Sequence, residues 1–512
     1  MDFPDNTEKL DAIAPGVVEA YRALTDSDDR GIMTSLGRYY NHTIFGRDCS
    51  MGAKFMSDFD HDTVWHTIKT LASLQGMRHN HKTHEEVGRI HHEYRDYQHW
   101  KARFMDRFGL RFAGLLWGAS DRVLLTYYAA DTTANYIRLI HKYAFYIDRS
   151  VLDRKVICKD GSTTTVRRTV ELAAEWIAAQ VSEEGLFMTT RPNRWSLPYQ
   201  TFADSVTAYA WQDGKPGDVS RAHSYVEAHV YALDALEDAV RLLPLSSYAD
   251  EWKALSETMR GALFGRFWQP ERREFAPALF ARSSTLMPLD GSMITSGWTL
   301  NASFWAQGGT KLYREQLIAI VERLFADDFL THVGLRTKSM YTKQPLGTML
   351  DYHGSQTVWP MFNFMIIEGL RRHKLYRLAA ELEHRVLNGV NAVGSFQEFF
   401  IIDHEGVLYR PSKSASRHMS GQMIPEQNIA FTVVPTLVMA YRDLYERPTE
   451  PTDAWRSELE ERILARIPHV ELLDAAVAAE QLAPTPLAIK RIGAGFRSAF
   501  HILPLMARKT RL

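Results

Sequence analysis

Apolar residues three and four apart recur in about a dozen stretches along this chain, and that repeat restricts it to helical architectures. The run from Val230-Tyr231-Ala232-Leu233 through Val240-Arg241-Leu242-Leu243 shows the pattern. Asp131 to Val151 reads as one long helix, with Tyr136, Ile137, Ile140, Tyr143 and Tyr146 near one stripe and Asp131 before Thr132 and Thr133 as its cap. The same spacing predicts helices over Met51 to Leu74, Val170 to Ala179, Ser205 to Trp211, Val219 to Leu243, Trp252 to Phe267, Asn301 to Phe325, Val358 to Arg372, Leu375 to Val390, Ile429 to Leu444 and Ala454 to Ile467. Strand-like alternation is confined to Val156-Ile157-Cys158 and Gly406-Val407-Leu408-Tyr409, both beside turns. Helices joined by loops, with almost no strand between them, imply an all-α fold of helices packed in pairs.

The 512 residues are 45% hydrophobic, enough for a large core. A formal net charge of -1 gives no field that would draw nucleic acid or an anionic membrane. With only Cys49 and Cys158, no disulfide framework is expected, and a reducing compartment suits the chain. Met1 to Lys9 is acidic and polar rather than basic then apolar, so a cytoplasmic location without a secretory signal is expected. No run of eighteen apolar residues offers a membrane span. The best boundary is Glu446 to Thr452. It suggests a segment 1–40, a main body 41–447 and a C-terminal helical extension 448–512, with tail helices at Leu472 to Ala479 and Ala488 to Phe496 and a basic end at Arg508 to Arg511.

Chemistry points to the long loops, because loops on a rigid helical body commonly carry function. Tyr352-His353-Gly354-Ser355-Gln356-Thr357-Val358-Trp359-Pro360 runs a polar, aromatic segment straight into a helix. Asp204 lies in Tyr199-Gln200-Thr201-Phe202-Ala203-Asp204-Ser205, before an apparent helix start that favours a charged carboxylate, while nearby aromatics favour a protonated one. Glu398 is flanked by Phe396, Phe399 and Phe400, where an unpaired buried acid would be costly. Glu426 precedes another helix. Asp48 follows Arg47, either as an ion pair or as an acceptor for sugar hydroxyls. No nucleophile elbow, phosphate-binding glycine loop or Cys-x-x-Cys is present. His79, His81, His84, His91 and His92 cluster, yet lack the His-Glu-x-x-His spacing of a helical zinc site.

Eight of these segments, in order, resemble the glucosidase part of glycogen-debranching enzymes, which are six-hairpin glycoside hydrolases. The segments are Phe45-Gly46-Arg47-Asp48, Glu85 to Arg95, Tyr127 to Thr133, Gln200 to Ser205, Val226 to Tyr231, Gly334 to Thr337, Tyr352 to Pro360 and Phe396 to Phe400. The resemblance implies an (α/α)6 toroid and an inverting hydrolase of an α-glucoside or a related small glycoside or short oligosaccharide. Asp204 falls where that family has its general acid and Glu398 where it has its general base, with Glu426 as the alternative base. Arg47, Asp48, Asp131, Trp195, Gln200, Phe202, Glu227, Arg336, His353 and Trp359 would bind substrate. Acid and base together need no metal or organic cofactor. Phe202 and Ala203 depart from the family's Trp-Lys, and Pro425-Glu426-Gln427-Asn428 from its closing motif, so the pocket differs from a debrancher's. Only about forty residues precede Phe45, where the family carries a β-rich domain, and a small substrate fits that difference. A monomer or small homo-oligomer is expected. Two other readings remain at this stage: a carbohydrate-binding protein with a degenerate site, and a sugar isomerase or lyase using a base such as His353.

Overall fold

The computed structural model of the chain describes residues 7–25, 29–37, 40–96, 114, 117–118, 123–205, 207–306, 311–342, 352–403, 405–406, 408–409, 425–446 and 453–470. Among the described residues thirteen α-helices form: α1 (Thr7–Ile13), α2 (Val17–Thr25), α3 (Gly46–Met56), α4 (His61–Ser73), α5 (Thr132–Tyr146), α6 (Val166–Ala179), α7 (Val226–Leu242), α8 (Ala249–Ala262), α9 (Lys311–Leu324), α10 (Pro360–Arg372), α11 (Tyr376–Val393), α12 (Ala430–Tyr445) and α13 (Ala454–Leu464). From α2 onward the chain alternates between an outer and an inner ring. The inner ring runs α3, α5, α7, a 3-10 segment Ile294–Asn301, α10 and α12, each packed on the next, and α12 closes against α3. Outside it lie α2 on α12, α4 on α3, α6 between α5 and α7, α8 on α7, α9 on the 3-10 segment, and α11 on α10 and α12. This is the (α/α)6 toroid that the motif order implied.

The two rings have different sequence patterns for a physical reason. An outer helix needs one apolar stripe: α6 buries Val166, Val170, Ala173, Ala174 and Ile177 along one side. An inner helix is covered all round, and α7 is buried without a break from Val226 to Ala239. The fourth inner position is the exception, because Thr295, Ser296, Gly297 and Thr299 are poor helix formers. A Cβ on Gly297 would sit 2.5 Å from Ile366 Cδ1 and 2.6 Å from Leu324 Cδ1, so the tighter 3-10 turn brings the chain closer than an α-helix with side chains would allow.

Several expected helices are divided or shortened. The Met51 to Leu74 stretch is two helices broken at Ser57–Asp60, where Asp60 Oδ1 accepts the Thr63 N–H at 3.0 Å and starts α4. The Asp131 to Val151 stretch ends as an α-helix at Tyr146 and resumes as a 3-10 turn, Arg149–Asp153. Of the stretch Ser205 to Trp211, residues 207–211 form turns rather than a helix: Tyr209 is drawn inward to Tyr199, Tyr225 and Glu227 instead of following a helical path. The two expected strands form, as Lys155–Ile157 and Leu408–Tyr409. The first forty residues add α1 and α2 to the toroid, both packed on α12. At the other end α13 packs on α11, and Arg385 Nη2 donates to the Pro468 carbonyl at 2.6 Å. The expected tail helices beyond residue 470, and the basic end, lie outside the described residues. Among the described residues no helix is long and apolar enough to cross a membrane.

Because outer and inner elements alternate, the inner ones all run in the same direction, and their N-termini gather at one rim. Short strands aim several of them. Ile44–Phe45 pairs with Glu93–Asp96 just before α3, Ser224–Tyr225 with Ala278–Arg282 just before α7, and Thr357–Val358 with Phe400–Ile402 just before α10. First-turn N–H groups and helix dipoles therefore converge at this rim and favour acidic groups there.

Candidate active site

Gly46 opens the site. A Cβ there would lie 2.2 Å from the His91 carbonyl oxygen, so only glycine lets α3 begin so close to the neighbouring strand. That close approach places Arg47 and Asp48 in the first turn of α3. Arg47 Nε donates to Asp131 Oδ1 and Oδ2 at 3.0 and 2.8 Å, linking two inner helices. Asp131 was expected to cap α5, but its side chain makes no cap bond and is taken by Arg47 instead. The Arg47 guanidinium also lies 4.6 Å over the Phe202 ring. Phe202 packs edge-on against Trp298 and Phe362 and stacks on Phe431, at 4.5, 5.7 and 5.5 Å, and so stops the top of the central bore.

The loop carrying Phe202 and Asp204 is anchored by Gln200. Its carbonyl accepts the Ala130 N–H at 2.7 Å, its Oε1 accepts Arg89 Nη2 at 3.0 Å, and its Nε2 donates to the Thr190 carbonyl at 3.1 Å. Asp204 follows, half-buried and not at a helix start. Burial pushes its carboxyl up to about 7; Arg47 pulls it down, and Glu93 and Asp131 push it up further.

Across the rim, Glu398 and Glu426 are joined backbone to side chain. The Glu398 N–H donates to the Glu426 carbonyl at 2.9 Å, and the Glu426 N–H donates to Glu398 Oε2 at 3.3 Å. The Tyr352 hydroxyl donates to Glu398 Oε1. Burial lifts Glu398 to about 8; Tyr352 and the Glu426 N–H pull against that lift, while Glu426 and Asp48 add to it. The Glu426 carboxylate points elsewhere: its Oε1 accepts Ser35 Oγ at 2.8 Å and the Tyr40 N–H at 3.2 Å, tying down the loop before α3. Asp204 and Glu398 each raise the hydroxyls of both Tyr40 and Tyr352, so both carboxyls act on the same two tyrosines. Asp48 is raised to about 7 chiefly by burial, with Arg47 opposing and Asp131 and Asp204 adding to the rise.

The remaining expected site residues divide by depth. Glu227, in the first turn of α7, is completely buried. Its Oε1 accepts the Tyr209 hydroxyl, its Oε2 has no partner among the described residues, and burial pushes it up to about 7. His353 and Trp359 are buried in a stack of nearly parallel rings, His353–Trp359 and Trp359–Phe362 both at 5.0 Å, that backs the Glu398 wall. Arg336 is buried as well, and its Nη1 donates to the Ser355 and Asp403 carbonyls at 2.7 and 3.2 Å, holding the Tyr352 loop to the Phe400 strand. Trp195 is half-buried, with the Arg194 guanidinium 4.4 Å over its ring and its carbonyl accepting Trp117 Nε1 at 2.8 Å. Sequence reasoning passed over Tyr40, Tyr352, Tyr209 and the Glu93–Arg95 ion pair as site groups. Tyr352 stood within the singled-out loop, but nothing local says that it meets Glu398. Among the described residues no group of three or more His, Cys, Asp or Glu side chains is arranged to hold a metal ion.

No protein-family model matches the sequence, and no curated protein does. Solved structures match in shape. The GH63 mannosylglycerate hydrolase from Thermus thermophilus, in complex with glucose, superposes with a TM-score of 0.53 at 14% identity, covering 83% of this chain and 99% of that one. The same hydrolase with Tris and D-glycerate gives 0.50 at 13% identity, covering 84% and 99%. At these identities the likeness is one of fold, and it is the helical toroid that is shared.

Proposed function

We propose that this chain is an inverting glycoside hydrolase acting on an α-glucoside, or on a similar small glycoside or short oligosaccharide. One observation carries the reading: Asp204 and Glu398, from separate loops, both act on the hydroxyls of Tyr40 and Tyr352, and Glu398 is held by two donors. Glu398 receives an O–H on one oxygen and an N–H on the other, which favours its charged form. Burial first, then the negative charges of Glu93 and Asp131, favour keeping the proton on Asp204, against the pull of Arg47. The fold shared with a sugar hydrolase that holds glucose supports a small glycone, and the eight motifs shared with debranching glucosidases support an α-glucoside.

In this reaction Asp204 gives its proton to the glycosidic oxygen as the bond from C1 to that oxygen breaks. Glu398 takes a proton from a water whose oxygen bonds to C1 from the opposite face. The released sugar has the inverted anomeric configuration, and proton exchange with solvent restores both acids. Room for the water calls for a carboxyl separation of about 6.5–9.5 Å. Asp48 and Arg47 at the floor take glycone hydroxyls, and Trp195 contacts the leaving group. Glu426 anchors the Ser35–Tyr40 loop rather than serving as the base, because its carboxylate oxygen already accepts two donors there.

Purified D204N and E398Q test the assignment. Each loses on the order of 10² to 10⁴ in kcat while its thermal melt stays near wild type. E426Q, which keeps acceptors for Ser35 and Tyr40, stays within about tenfold of wild type, because one neutral hydrogen bond is worth only about 1 kcal/mol. Wild-type turnover in D204N rejects the acid, and a dead E426Q beside a working E398Q moves the base to Glu426.

A further inference from the structure

A carboxylate lifted this far by burial serves as a base only if donors hold it charged and aimed. Tyr352 is built to do so. Its ring is boxed by His353, Trp359 and Phe399, each met edge-on at 4.5, 4.9 and 5.2 Å. Its backbone is pinned as well, because Trp359 Nε1 donates to the Tyr352 carbonyl at 3.2 Å. The antiparallel pairing of Thr357 with Ile401 and Val358 with Phe400 sets this loop in register with the Glu398 segment. The ring cannot swing without breaking the stack, and its hydroxyl reaches Glu398 Oε1. The second oxygen is held independently by the Glu426 N–H, on a segment fixed through Ser35 and Tyr40.

We infer that Tyr352 is the positioning residue of Glu398: its hydroxyl, immobilised by the aromatic box, orients the carboxylate and holds it in the charged form. The inference rests on Glu398 being the base. Glu426 before α12 and Asp48 at the start of α3 also act on Glu398, and both oppose its charge. Tyr40, from the loop before α3, also lies within its field. Tyr352 works the other way, as a side-chain donor to the carboxylate.

Tyr352→Phe keeps the boxed ring and removes only the donor. Losing a hydrogen bond to a charged group raises the Glu398 pKa by about one unit or more. The ratio of wild-type to Y352F kcat/KM is then about tenfold near pH 6 and falls to near one by about pH 9.5, where Glu398 is charged in both proteins. That pattern holds whichever of Asp204 and Glu398 titrates first. A second readout is the pair of variants: adding Y352F to E398Q changes nothing further. A ratio that does not vary with pH reduces Tyr352 to a packing residue and overturns the inference. If Y352F does not fold, Trp359→Phe, which keeps a ring but frees the Tyr352 backbone, is read the same way: a loss confined to low pH supports the inference, and a pH-independent loss overturns it. A wild-type protein inactive on every glycoside would instead reject the hydrolase reading itself.

Discussion

Replacing Glu227 by Gln should stabilise the protein, by an amount that grows from about pH 4.5 and is complete above about pH 7. Glu227 is fully buried and receives the Tyr209 hydroxyl, while Asp131 adds to the rise of its carboxyl. Burial lifts it from 4.5 to about 7. Below pH 4.5 the carboxyl is protonated in both the folded and the unfolded chain, and its charge costs nothing. Between 4.5 and about 7 only the unfolded chain gives up the proton, so stability falls as pH rises. Above about 7 both states are charged and the full penalty stands. At about 1.4 kcal/mol per pKa unit, the gap is worth about 3 kcal/mol. Glutamine has the shape of the neutral acid and still accepts the Tyr209 hydroxyl, so E227Q escapes the penalty. A body of several hundred residues shifts by about 1 °C per kcal/mol. Thermal melts should therefore coincide within about 1 °C at about pH 5, and E227Q should melt about 3 °C higher at about pH 8.5. Melting curves of both proteins in matched buffers across that range give the answer. An E227Q protein less stable at every pH, by a constant amount, would show that Glu227 is charged in the fold and that burial does not govern it.

The pH–rate profile follows from the two values at the proposed acid and base. With Asp204 at about 7 and Glu398 at about 8, the working form, acid protonated and base charged, is a minority species, and kcat/KM should form a low plateau between those values, falling about tenfold per unit on either side. A maximum near pH 5 would contradict it. Arg47→Met leaves Asp131 buried without its partner, so it should cost about 3–5 kcal/mol and lower the melting temperature by several degrees, with D131N added to it recovering part of the loss. Melts of the two single variants and the double variant measure the coupling, and additive losses would count against a buried pair.

Local pattern revealed the outer helices well because burial repeats along each one, as in α6. It failed where long-range contacts override local preference. Gly297, Thr299 and their neighbours do not look like a ring element, yet the toroid needs one between α7 and α10 and accepts a 3-10 turn. Tyr209 sits in an apolar stretch that reads as helix, but Glu227 and Tyr199 draw it inward and the stretch becomes turns. For the site, the spacing of acids within aromatic loops singled out Asp204 and Glu398 but not their surroundings. The donors that separate Glu398 from Glu426 arrive from Tyr352, Ser35 and Tyr40, and Ser35 is 391 residues from Glu426 in sequence. No window on the chain contains that information. Arg47 and Asp131 were each legible as polar residues near helix starts, but their pairing depends on two inner helices meeting at the same rim.

The most direct test is the configuration of the sugar at the moment of release. Wild-type enzyme is mixed with a panel of α-glucosides (maltose, isomaltose, trehalose, sucrose, glucosylglycerol and glucosylglycerate), and proton NMR follows the anomeric signals before mutarotation. The inverting mechanism of Asp204 and Glu398 predicts that the glucose whose C1–O bond is cleaved appears as the β anomer: alone from sucrose, glucosylglycerol or glucosylglycerate, and with an equal amount of α-glucose, the leaving group, from trehalose. α-Glucose without β-glucose as the first product would mean retention through a covalent intermediate, and would contradict the assignment of Glu398 as a base.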